Sequence, residues 1–479
     1  CRFFLRMKKH SRPRPPPDSG NGIFLSFILL LVWAPIPLGS NRPWAWAILE
    51  IGIFAVAIAW LWNFARGHAT HTVHTSHAII TPAFKKAWPV SLLLLIWLLF
   101  GLLQWMPLPL AWVQRIAPQA ADAYSAAAIV APGHAAAISM DPHASQAYWM
   151  RSVALSLTFW LCLLLLTHHV RIKWLAYALI ASGVFQAMYG TLDMFAHGLE
   201  YASGTFPNRN HFANYLALCV SLGIGIIISQ LSGDAVPTRW IRKLRETIRL
   251  ILSTKAVVRL CLVIMVIGVV LSRSRMGNTA MFASLLISGV IALMLSRHAT
   301  RSMILLIASL VIIDVFVVGT WFGIERVKQR IEETTLATES RPRVAEATLQ
   351  MAKDNLLTGT GAGSFYIVFP RYRNETIANL FENAENEYLQ ITAETGLTGL
   401  ALLGGVLSIS FGAALIAHYR RRDRLMRGIS FAAIMGLTAT LIHASVEFNL
   451  EIPANAMLVM VLLALCWIAL GFENRREDR

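Results

Sequence analysis

Apolar runs of about twenty residues recur along the whole chain, and this leaves few ways to fold. A hydrocarbon core about 30 Å thick is crossed by about 20 helical residues. Inside it every backbone polar group must be satisfied within its own segment, so such runs form helices. Twelve runs qualify, near 22–39, 44–64, 88–106, 152–168, 174–194, 211–231, 256–272, 277–296, 302–323, 387–417, 428–446 and 454–472. With 56% hydrophobic and 14% charged residues, the composition lies far from that of a soluble domain. The expected fold class is all-α, a polytopic integral membrane protein with about 12 transmembrane helices. Expected domains are a basic segment at 1–21, nine spans over 22–323, a long loop at 324–386, three spans over 387–472 and a tail at 473–479.

Charge sets the expected orientation. A net charge of +16 does not imply nucleic acid here, because Lys and Arg in a membrane protein mark the cytoplasmic connections. The runs at 238–249 and 418–427 are basic, and so is 1–21, while 473–479 holds three arginines beside three acids. With both termini placed inside, the short external connections hold only Arg42, Arg115, Arg151, Arg209, Arg273 and Arg275. Loop 324–386 is long enough to escape the rule. The basic head has no convincing cleavage site and reads as a retained anchor, with Met7 a more natural start than Cys1. Cys162, Cys219, Cys261 and Cys466 fall in apolar runs and read as small packing residues.

This orientation gathers the polar motifs on one face: FPNRNHF (206–212), SRSRMG (272–277), loop 324–386, the acidic stretch after it and VEFNLEIP (446–453). Four acids, Glu382, Glu385, Glu387 and Glu394, border one long apolar span, where charge is costly and points to function. Arg273 and Arg275 sit on a turn between two spans and suit a phosphate at the lipid–water boundary; snorkelling to headgroups is the plainer alternative. Arg209 opens a span beside Asn210 and His211, either as part of a binding cluster or as a capping turn with Asn210 as cap. Ser340 with Pro342 signals a helix start, and Val344, Ala347 and Met351 share one helical face. Arg341 and Arg343 at that start are candidates for anion binding. The helix runs into Gly359-Thr360-Gly361-Ala362-Gly363, which reads as a packing turn in preference to a phosphate cradle, since no Walker lysine follows. His68, His71, His74 and His77 read as a flexible cytoplasmic segment in preference to a metal site. Asp314, within an apolar run, is either functional or a partner for a neighbouring helix.

These residues resemble the O-antigen ligase and polymerase family over roughly 100–470, most strongly in the second half. The family's His-Asn, nine residues, Gly-x-x-Gly pattern matches at Asn386, Gly396 and Gly399, with Glu385 where the histidine stands. Its arginine before an amphipathic helix and Gly-x-Gly-x-Gly turn matches Arg341 through Phe365. GTFPNRNHFANYL, SRSRMG, the PLP at 107–109 and EFNLEIPAN are similar to further family segments.

The resemblance implies a GT-C-like fold and a periplasmic loop at 324–386 in the bacterial inner membrane, with cytoplasmic termini and a periplasmic active site. It also implies a metal-independent inverting glycosyltransferase without cofactors. The donor would be a glycan on undecaprenyl diphosphate, and the acceptor lipid A–core (a ligase) or another saccharide (a polymerase). Diphosphate binding then falls to Arg209, Arg273, Arg275, Arg341 and Arg343, and proton acceptance to Glu385 or Glu387. Asn210, His211, Asn386, Gly396 and Gly399 would serve the motif's structure. A secondary transporter of an anionic solute is the alternative from another class, disfavoured because no paired broken helices are evident. A non-catalytic scaffold would leave the arginines unexplained.

Overall fold

The computed structural model describes residues 19–69, 80–130, 135–230, 254–295, 336–373, 377 and 379–473. The first helices are α1 (Ser19–Trp33), α2 (Pro43–Ala69), α3 (Pro82–Lys86), α4 (Trp88–Trp105), α5 (Leu110–Ile116) and α6 (Pro118–Val130). Four long ones follow: α7 (Pro142–Leu165), α8 (His169–His197), α9 (Arg209–Gln230) and α10 (Thr254–Leu271). Then come α11 (Arg275–Leu295), α12 (Leu336–Asp354), the short α13 (Phe365–Val368), α14 (Glu387–Arg420), α15 (Arg424–Ala444) and α16 (Pro453–Gly471). Among the described residues there is no strand. The protein is an all-α, polytopic membrane protein. Nine of these helices are long and apolar enough to cross a membrane, with Gly20–Trp33 and Ala256–Leu271 as shorter apolar helices. The expected span 302–323, Asp314, the basic run 238–249 and the side chains of the His68–His77 set lie outside the described residues.

Two span boundaries differ most from the sequence expectation. The first span ends at Trp33, because Pro35 and Pro37 cannot continue a helix; a 3-10 turn at Leu38–Ser40 follows. The fourth begins ten residues early, at Pro142, because the Asp141 carboxylate caps it, accepting from Ala144 N at 3.1 Å. That extension brings Tyr148 and Arg151 into an ordered helix.

The core is α9 packed on α15 and α16, each with more than three quarters of its apolar span buried. Gly225 and Gly428 allow the closest approach, since a Cβ on either would strike the other's carbonyl oxygen. Small residues at a crossing let membrane helices pack backbone to backbone. Cys162, Cys219 and Cys466 are buried free thiols in this packing.

Contacts between chain-distant termini define two ends of the bundle. At one end His169 Nε2 meets Asp423 Oδ2 at 2.7 Å, and Arg421 donates to the Leu470 and Phe472 carbonyls. The other end gathers the starts of α7, α9, α11, α14 and α16 and the ends of α8, α10 and α15. Here Ala202 N donates to Leu271 O, Asn386 Nδ2 to Ser445 O and Asn455 Nδ2 to His211 O.

α12 and the chain after it cap this second end. The expected helical face is correct: Val344 and Met351 are fully buried and Ala347 packs beside them against Phe365, Val368 and Phe369. The helix starts at Leu336, ahead of Ser340, so Pro342 lies inside it.

Candidate functional site

The segment from Glu385 to Gly399 builds the base of the site. Asn386 is the N-cap of α14, its Oδ1 accepting from Leu389 N at 3.0 Å while its amide donates to Ser445 O at 2.8 Å. It fixes α14 to the end of α15. Glu385, just before the cap, has φ +51, a left-handed conformation unusual for a non-glycine residue. Its carboxylate meets Arg341 Nη2 at 2.5 Å. Glu387 is buried, and its Oε2 accepts from Leu450 N at 3.0 Å. Its visible work is therefore to hold the 449–451 turn.

Gly396 breaks α14 internally at φ +66, ψ −172. The freed N–H groups of Leu397 and Thr398 donate to Leu356 O and Leu357 O, so the helix opens to receive the residues after α12. A Cβ on Gly396 would strike the Leu357 carbonyl, and one on Gly399 the Thr395 side chain. Both motif glycines thus have packing reasons.

The glycine-rich turn is filled by the protein's own carboxylate. Glu394 Oε2 accepts from Gly363 N at 3.0 Å and Oε1 from Phe365 N at 2.9 Å; Gly361 N donates to Glu394 O and Ala362 N to Gln104 Oε1. Oriented N–H groups of this kind attract an anion. Here the Glu394 carboxyl already takes those N–H groups, so the turn is a packing turn.

Glu447 was not singled out from the sequence, yet it lies at the centre of the cluster. It is 1% exposed, in the turn between α15 and α16. Arg341 Nη2 lies 3.2 Å from its Oε1, and Asn210 Nδ2 donates to the same oxygen. Burial raises its carboxyl to about 7, with repulsion from Glu385 adding to the rise and Arg341 and Asn210 opposing it. Its Oε2 is buried and has no hydrogen-bond partner among the described residues, and the same holds for Asn449 Nδ2 and His443 Nε2. His211 is buried beside them, its Nδ1 bonded to Asn449 Oδ1 at 3.0 Å.

A second ion pair joins Arg151 to Glu451 at 3.2 Å, with Arg151 stacked 4.3 Å over the Trp46 ring. It pins α7 to the same turn. Burial raises the Glu451 carboxyl, with Arg151 opposing.

The other expected arginines take separate places. Arg209 stacks 4.5 Å over Tyr201. The cap of α9 is Asn208, not Asn210: Asn208 Oδ1 accepts from Asn210 N at 2.8 Å, which leaves the Asn210 side chain for Glu447. In SRSRMG the serines point inward and the arginines outward. Ser272 and Ser274 are buried, with Ser274 Oγ accepting from Gly277 N, while Arg273 and Arg275 are exposed. Neither forms an ion pair with another described residue. They stand at the same end as Arg341, because the first turn of α11 packs on Ala213 of α9. Arg343 is exposed on α12. The structure therefore joins Arg341, Glu385, Glu387, Asn210, His211 and Asn386 around one turn. Arg209 stacks on Tyr201 instead, and Arg273 and Arg275 form no ion pair with that cluster among the described residues.

Residues 260–404 match the family model described as O-antigen ligase. That region is similar to the O-antigen ligase family. The matched region runs from α10 into α14, and so contains Arg273, Arg275, Arg341, Arg343 and the Glu385–Gly399 motif. The turn bearing Glu447 and Asn449 lies beyond it. A comparison with curated proteins found no match. The match, together with the apolar helices, supports polysaccharide biosynthesis by a ligase- or polymerase-type enzyme in a membrane.

Proposed function

We propose that this protein transfers a glycan from undecaprenyl diphosphate to a sugar hydroxyl, on lipid A–core or on another saccharide, at the periplasmic face of the bacterial inner membrane. The observation that carries the reading is Arg341, half exposed at the bundle end, held between Glu385 and Glu447 and flanked at that end by exposed Arg273 and Arg275.

Glycosyl transfer from a lipid diphosphate builds negative charge on the departing phosphate. Guanidiniums fixed at the membrane surface stabilise that charge as it develops. Arg341, Arg273 and Arg275 suit this role, with Arg209 and Arg343 nearby to draw in the donor. A carboxylate must accept the acceptor's proton as its oxygen attacks the anomeric carbon, and the acids beside Arg341 suit that step. A single displacement inverts the anomeric centre and needs neither metal nor cofactor. The periplasmic assignment rests on the basic connections at the opposite end, such as 418–427.

The test is deletion of the gene followed by gel analysis of surface glycans, with complementation by variants. Loss of long chains from lipid A–core identifies a ligase, and single repeats left on the core identify a polymerase. Arg341→Ala or Arg275→Ala should fail to restore the product while inserting normally. Wild-type glycan levels from both variants would overturn the reading.

A further inference from the structure

We propose that Glu447 is the carboxylate that accepts the acceptor's proton, and that donor diphosphate frees it by drawing Arg341 away. This rests on the glycosyl-transfer reading above and sharpens it.

Three carboxylates compete for the role, and their surroundings separate them. Glu387 is spent on Leu450 N, and without it the 449–451 turn would lose a backbone anchor. Glu385 is the tighter partner of Arg341, at 2.5 Å against 3.2 Å for Glu447, and is the more exposed of the two. That makes Glu385 a positioning residue, which aims Arg341. Glu385 Oε2 also lacks a hydrogen bond but is ion-paired to Arg341, whereas Glu447 keeps a buried oxygen, Oε2, with neither a hydrogen bond nor an ion pair among the described residues. Buried polar atoms are almost always satisfied, so an orphan calls for a missing partner. An acceptor hydroxyl would supply it.

The groups around Glu447 suit proton acceptance. Arg341 comes from α12, Glu385 from the chain before α14, His211 and Asn210 from α9, and His443 from α15. A carboxyl whose proton affinity lies near neutrality is the strongest base that can still be ionised there. One nitrogen, Arg341 Nη2, serves both Glu385 and Glu447. A diphosphate offers several charged oxygens to the same guanidinium and competes for it. When Arg341 turns to the donor, Glu447 keeps its burial and its repulsion from Glu385 and loses its cation, so its affinity for a proton rises.

The chemical step then balances. The acceptor's O–H bond breaks, with its proton passing to Glu447 Oε2. The oxygen's electron pair forms the bond to the anomeric carbon. The bond from that carbon to the diphosphate oxygen breaks, its electrons leaving on the phosphate beside Arg341.

Two measurements on the full-length protein test this: binding of undecaprenyl diphosphate to protein in detergent, and glycan output in the complemented deletion strain. Glu447→Gln should bind undecaprenyl diphosphate at least as tightly as wild type, since a competitor for Arg341 is gone, while output falls about 10³-fold. Glu447→Asp should restore part of that output. Glu385→Gln should stay within about tenfold of wild type, as expected of a group that acts through Arg341. Binding should take up a fraction of a proton per site near neutral pH in wild type, leaving an ionised share of Glu447 to act as base; this is read from calorimetric heats in buffers of different ionisation enthalpy and should be lost in Glu447→Gln. Output from Glu447→Gln within threefold of wild type, with Arg341→Ala inactive, would overturn the proposal and leave the glycosyl-transfer reading standing. Loss of undecaprenyl diphosphate binding in Glu447→Gln would overturn it too, by making Glu447 structural. A wild-type gene that restores no glycan would remove both.

Discussion

At the residue scale, a guanidinium bridging two carboxylates is a net negative cluster placed partly out of water. Removing its one cation leaves a buried charge uncompensated, which typically costs about 3–5 kcal/mol. Arg341→Ala should therefore lower stability as well as activity, most above about pH 7, where Glu447 is ionised. Glu447 gives a cleaner pH test. Its folded-state carboxyl is raised from 4.5 to about 7, so the native state binds its proton more tightly than the unfolded state does. The stability this contributes is fully present below 4.5 and is lost as pH rises through about 7. Thermal unfolding at pH 5 and pH 8 should show wild type losing ground to Glu447→Gln as pH rises. A gap that does not change with pH would mean the carboxyl is not raised.

At the element scale, α14 is one helix in sequence and two in space. The break at Gly396 has a φ and ψ open essentially to glycine alone, and a Cβ there meets backbone. Gly396→Ala should cost roughly 1–3 kcal/mol of strain or more and release the chain after α12, read as faster proteolysis between Asn355 and Glu385. Gly412, further along α14, has nothing within 4 Å of an added Cβ, so Gly412→Ala should be harmless. Equal protease sensitivity in the two variants would show that the break does not hold the cap. Glu394 is a related case: Glu394→Ala leaves two buried N–H groups without an acceptor, each worth about 1–3 kcal/mol. The sequence showed acids beside a glycine turn without showing that one acid fills it. Spacing along the chain says nothing about a partner 31 residues away.

At the scale of the whole molecule, the fold was legible and the site was partly so. Apolar length fixes helices in a bilayer, and eleven of the twelve expected spans correspond to described helices. Sidedness can be tested directly. In a background without the native cysteines, a membrane-impermeant thiol reagent should label Glu382→Cys, and not Arg422→Cys, in intact spheroplasts. The reverse pattern would invert the orientation. The glycine turn and the amphipathic face of α12 were legible too, because periodicity and backbone freedom are local properties. Glu447 was not. VEFNLEIP stood out only as a polar segment between spans, and an acid at a membrane boundary was the one signal that could have marked it.

By itself the sequence determined the class of molecule, the apolar helices of the described residues, the clustering of polar motifs at one end and the likeness to a family. All of these follow from hydrophobic length, charge placement and motif order, which are properties of the chain. Only the tertiary structure decided which acids meet which arginines. It assigned Glu394 to the glycine turn, Glu387 to the 449–451 backbone, and Glu385 with Glu447 to a single nitrogen of Arg341. Those pairings join residues as much as 106 positions apart. They depend on how the helices pack, and a carboxylate's role is set by what that packing leaves beside it.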